Sequence, residues 1–102
     1  MRIYLSAQLA DIESLASGGA VGATRVIPTS EDEEDEFEAF SEAANHAAVV
    51  IAADVSHPDA PVALADVASF HVDLDESGDL AWYATQEIDA VLLVLRNTAP
   101  GG

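Results

Sequence analysis

The sequence predicts one α+β domain: a two-layer sandwich in the order β-α-β-α-β-β-α, with a four-stranded mixed sheet and its helices on one face. Three observations lead there. The chain has 102 residues, close to the commonest domain size and long enough for one buried core. Segments of period-two apolar alternation are interleaved with segments of helical spacing. The first and last strands are apolar on one face only, so helices need cover only that face, whereas a doubly wound sheet would require apolar residues on both. The domain spans residues 1–97, and 98–102 form a flexible tail.

In the first strand Ile3 and Leu5 point one way, and Arg2, Tyr4 and Ser6 the other. Ser6 is placed to cap a helix carrying Leu9, Ile12 and Leu15 or Ala16, which Gly18-Gly19 stops. A second strand is expected over Ala23 to Pro28, at a sheet edge because Pro28 has no amide hydrogen. Ser30-Glu31-Asp32-Glu33 is a capping-box pattern, and seven carboxylates fall within residues 31–38. Alone such a run would be self-repelling and disordered. Phe37, Phe40 or Ser41, Ala44 and Ala48 continue at helical spacing, and the helix dipole favours acids in its first turn by about 0.3–1 kcal/mol each. A helix from about Glu31 to Ala47 follows.

Val49 to Val55 is a continuous aliphatic run, typical of a central strand covered on both faces. Ser56 to Pro61 reads as a loop, and Leu64 to Asp66 as a linking turn. Ser69 to Asp75 alternates, with Phe70, Val72 and Leu74 inward and His71, Asp73 and Asp75 outward. Ser77-Gly78 turns the chain, and Asp79 caps a last helix through Trp82, Tyr83, Gln86, Ile88, Val91 and Leu92 to Leu95 or Arg96. A final strand over Val91 to Leu95 is the alternative. The outer sheet face is expected to display Arg2, Tyr4, His71 and Asp73.

Charge narrows the function. Nineteen Asp and Glu stand against three arginines, with no lysine, for a formal net charge of −16. Nucleic acid and anionic membranes are therefore excluded as partners, because both are held by cations. No cysteine is present, which removes disulfides, thiolate metal sites and a cysteine nucleophile. No signal-peptide pattern opens the chain and no apolar run reaches membrane-spanning length, so a cytoplasmic protein is expected. Half the residues are hydrophobic and mean hydropathy is +0.20, values of a folded chain and not of an acidic tail.

Met1 to Leu5, the acidic stretch into an alanine-rich helix, the valine-rich strand, His71-Val72-Asp73 and Trp82-Tyr83-Ala84-Thr85-Gln86-Glu87 together resemble an uncharacterised actinobacterial family, a domain of unknown function. The resemblance spans most of the chain and is most specific at the Trp82 hexapeptide and the His71 strand. It departs at Ser6 and near Asp89, where family members carry proline. It implies a compact domain and no activity.

Two constellations are candidate sites. His71, Asp73 and Asp75 at i, i+2 and i+4 put an imidazole and two carboxylates on one strand face. Such groups suit a divalent ion or acid–base work, although parallel side chains about 7 Å apart need further ligands such as His46, His57 or Asp54. Trp82 with Gln86, and Tyr83 with Glu87, share helical faces and have the mixed aromatic and polar composition of interfaces. Tyr4 on the open sheet face joins them. No phosphate-binding glycine loop or nucleophile motif is present, and no cofactor is indicated. The expected role is a non-enzymatic protein-interaction or self-associating module, a homodimer or the ligand of another protein. The alternatives are an acidic decoy for a basic, nucleic-acid-binding protein, and a metal-assisted or acid–base enzyme using His71 and Asp73. The acidity is also what a high-salt cytoplasm would favour.

Overall fold

The computed structural model describes residues 1–22, 24–45, 49–73 and 80–98. Seven strands, three α-helices and two short 3₁₀ turns follow in order among them: β1 (Arg2–Ala7), α1 (Leu9–Ala16), β2 (Ala20–Val21), β3 (Thr24–Val26), α2 (Glu33–Ala44), β4 (Val49–Asp54), β5 (Val62–Ala63), a 3₁₀ turn (Leu64–Asp66), β6 (Val67–Asp73), β7 (Leu80–Ala84), a second 3₁₀ turn (Thr85–Glu87) and α3 (Ile88–Thr98). The class is α+β, as the sequence predicts. The sheet differs in detail: five strands in the order β3-β1-β4-β6-β7, antiparallel at every pairing, with β2 and β5 forming a separate two-stranded ribbon.

Residues Val49 to Ala53 of β4 are all 0–1 % exposed, so the central strand needs cover on both faces. The face holding Ile3, Leu5, Val49, Ile51, Phe70 and Val72 packs against Ile12 and Leu15 of α1 and against Ile88, Val91, Leu92 and Leu95 of α3. The opposite face, with Tyr4, Val50 and Ala52, is covered by Ala39 and Ala43 of α2. The expectation that all helices lie on one face is thereby corrected, and the molecule has three layers. Alanines four apart leave no bulk between helix and sheet, so α2 sits close, and the buried Ser6 hydroxyl donates to Ala43 O at 2.8 Å.

The helix boundaries shift for local reasons. Ser6 remains in β1 and its hydroxyl is engaged by α2; the cap of α1 is Gln8, whose N–H donates to the Asp11 carboxylate at 2.9 Å. Gly18 ends α1 at φ +91°, a conformation that L side chains rarely adopt. At α2 the cap is Asp32, and Ser30 accepts from the Asp32 N–H while donating to Asp35, in place of the expected pairing with Glu33. Phe37 is 69 % exposed, because α2 presents its alanine stripe to the sheet and turns this ring outward.

The largest correction is at the C-terminal third. Leu80 to Ala84 form a strand, not the start of a helix. Chain direction changes at Thr85 to Glu87, where the Glu87 carboxylate accepts from the Ala84 N–H at 2.9 Å and the Thr85 hydroxyl donates to Val67 O at 2.7 Å. The last helix therefore begins at Ile88 and runs through Thr98, and Val91 to Leu95 are helical. Thr98, expected to open the tail, ends α3; the expected starts and stops at Ala23, Ala47, Ala48, Ser77-Gly78 and Asp79, and residues 99–102 of the tail, lie outside the described residues.

The phase of α3 is testable at adjacent residues. Leu92 is 6 % exposed and Leu93 62 %. Leu92→Ala should cost about 2–5 kcal/mol in urea unfolding, whereas Leu93→Gln should stay within about 0.5 kcal/mol of the parent. Equal losses would contradict this packing.

Candidate functional site

The strand registers align one row of side chains across the α2 side of the sheet: Thr24 beside Ser6, Ser6 beside Val50, Val50 beside His71, and His71 beside Trp82. Helix α2 roofs the middle of this row. Its Phe40 ring stands edge-on to Tyr4 at 5.8 Å and to His71 at 4.8 Å between centroids, an arrangement that places ring edges against π faces. At the far end Trp82 is 61 % exposed.

His71 is half-buried, and its Nε2 lies 2.8 Å from the Ser69 hydroxyl two residues earlier on the same strand. Burial, followed by the positive field of Arg2, holds its pKa below the ordinary 6.5. The imidazole is thus neutral at neutral pH and accepts from or donates to Ser69 according to its tautomer. A serine bound to a histidine nitrogen has the form of an activated nucleophile. Ser69, however, is only 7 % exposed, a position with little approach for a substrate carbonyl. The pair is better described as a satisfied polar contact under Phe40.

Asp73 ends β6 opposite Leu80, while its side chain, Asp75 and His46 lie outside the described residues. Asp54 forms a bidentate pair with Arg2, at 2.8 and 3.2 Å, and His57 is exposed in the loop after β4. Asp54 and His57 were candidate extra ligands for the strand site. Among the described residues no three His, Asp or Glu side chains gather where a metal ion could bind.

The interaction residues separate. Trp82 and Tyr83, adjacent on β7, face opposite sides: Trp82 joins the His71 row, and Tyr83 packs partly buried against the main core beside Phe70. Gln86 is exposed in the 3₁₀ turn, away from the helical pairing expected with Trp82. Tyr4 is 7 % exposed beneath α2, which corrects its expected place on an open face; burial also raises its pKa above 10.0 and keeps its hydroxyl protonated. Arg2 remains partly exposed at the sheet margin.

The structure adds a feature that the sequence conceals. A groove of about 510 Å³ lies between α2 and the segment leaving β3, with Val26, Ile27, Pro28 and Ala39 among its apolar lining and Phe37 on its outer wall. Phe37 and Ile27 are both exposed, at 69 % and 42 %. An outward aromatic within an acidic run was the available signal, but its spacing matched a core stripe equally well. No helix among the described residues is long and apolar enough to cross a membrane.

The depressed His71 pKa has a definite thermodynamic sign. The unfolded imidazole takes up a proton near 6.5, while the folded one resists it. This stabilisation is fully present above that value and is lost progressively as pH falls from it through the lower folded value. Tm should therefore fall from about pH 7.5 to about pH 5.5 more in the parent than in His71→Gln. Parallel pH profiles for the two proteins would refute the assignment. Comparison of the chain with protein-family models, curated proteins and solved structures finds no match.

Proposed function

We propose that this domain is a non-enzymatic, self-associating interaction module whose contact is the β7 edge. One observation carries the proposal: Leu80 to Ala84 form an edge strand without a single charged side chain in a chain of net charge −16. Edge strands expose unpaired backbone donors and acceptors, and proteins usually protect them with charge, proline or a bulge. Here the strand is neutral and carries the exposed Trp82 at its centre. A second copy can pair along it, extending the sheet by β-augmentation while Trp82 leaves water.

Charge supports this choice of surface. Two copies of −16 repel over most approaches, and repulsion is weaker over the uncharged stretch Leu80 to Tyr83, ahead of the Glu87 carboxylate on the Ala84 N–H. The Trp82 to Glu87 hexapeptide, which carries the resemblance to the actinobacterial family, coincides with this edge and the turn after it; we propose kinship with that family on the same ground.

Self-association has an unusual signature here. Added salt screens the repulsion between copies, so the dimer should strengthen as NaCl rises. Sedimentation or light scattering should show a species of twice the 10.6 kDa chain mass, growing with protein concentration and with salt. The fluorescence of Trp82, the one tryptophan of the chain, should shift to the blue in parallel. Trp82→Glu, at an exposed position, should remain monomeric with an unchanged circular dichroism spectrum. A monomer at about millimolar concentration in high salt would end the proposal.

A further inference from the structure

We infer that the groove between α2 and the segment leaving β3 binds a cationic amphipathic segment of a partner protein, one in which a bulky apolar residue is flanked by lysines or arginines. This surface is separate from the β7 edge, and the inference does not depend on self-association.

The apolar element comes first. Phe37 and Ile27 stand exposed at the groove, and Pro28 completes an apolar wall. Large side chains held out of the core on two separate elements, facing one concavity, match the anchor pockets of protein–protein contacts. The margins supply the partner's charge: Asp35, Glu38 and Glu42 also line the groove.

Among the described residues no arginine forms an ion pair with Asp35, Glu38 or Glu42. Arg2 is paired with Asp54, Arg96 with Glu13, and Arg25 donates to the carbonyls of Pro58 and Ala60. The sequence has no other arginine and no lysine. A basic partner segment complements these carboxylates, and the apolar wall favours one that brings a hydrophobic side chain as well. A second copy fails the charge condition, because its own surface is acidic. Nucleic acid fails it for the same reason.

The test uses a fluorescein-labelled helical peptide of leucine and lysine of about 14 residues, some four turns, together with an all-lysine peptide of equal charge. The leucine–lysine peptide should bind the intact chain more tightly than the all-lysine one. Its Kd should rise steeply between about 0.05 and 0.5 M NaCl, the opposite trend to self-association. Phe37→Ser, at an exposed site, should weaken binding about tenfold or more, and Glu38→Gln with Glu42→Gln should flatten the salt dependence. Backbone amide shifts on titration should concentrate at Ile27, Phe37 and Glu42, and Trp82→Glu should bind as the parent does. Equal binding by Phe37→Ser, equal binding of the all-lysine peptide, or absence of binding at low salt would overturn the inference. None of these outcomes bears on the β7 dimer.

Discussion

The burial of β4 on both faces is the constraint from which the remaining architecture follows. An aliphatic strand flanked by β1 and β6 has no solvent side, and an uncovered face would expose its apolar side chains at about 25 cal/mol per Å². Helices α1 and α3 meet this need on one side with leucine, isoleucine and valine. On the other, α2 meets it with alanines, and the small residues draw the helix close enough for Phe40 to reach Tyr4 and His71. The neutral state of His71 and the outward turn of Phe37 are both consequences of how that single helix is seated.

Among the described residues, three of the chain's nineteen carboxylates are engaged by backbone amides. Asp11, Asp66 and Glu87 each accept from the N–H three residues earlier, at Gln8, Ala63 and Ala84, and so close the first turn of a helical segment. Asp54, on an exposed pair with Arg2, contributes about 0–1 kcal/mol at most. Its pKa is lowered by the guanidinium. The run over residues 31–38 receives helix-dipole stabilisation in its first turn, and Glu36 also feels the charge of Arg2.

Much of this was legible in the sequence because local patterns and tertiary structure agreed. Ile3 and Leu5, the Gly18 stop, the aliphatic run from Val49 and the linking turn at Leu64 to Asp66 all behave as their chemistry dictates. The layer count was missed although its evidence was present: a strand apolar on both faces cannot belong to a sheet covered on one. β7 was missed because five residues of alanine, leucine and aromatics suit either helix or strand, and its pairing with β6 decided the matter. The groove was illegible, since the roles of Phe37 and Ile27 depend on the rotation of α2, which alanines at 39 and 43 set in preference to the larger ring.

The pairing of β1 with β4 also has a consequence for how the chain is made. Leu5 finds Ile51 across nearly half the sequence, so β1, α1, β3 and α2 leave the ribosome before the strand that organises them exists. During that interval their apolar faces have no core to join, and contacts of such long range form slowly. The helix made before β4, α2, opens with the acidic run. Seven carboxylates within residues 31–38 make that segment one that repels itself and stays solvated until the strands it will cover have been made.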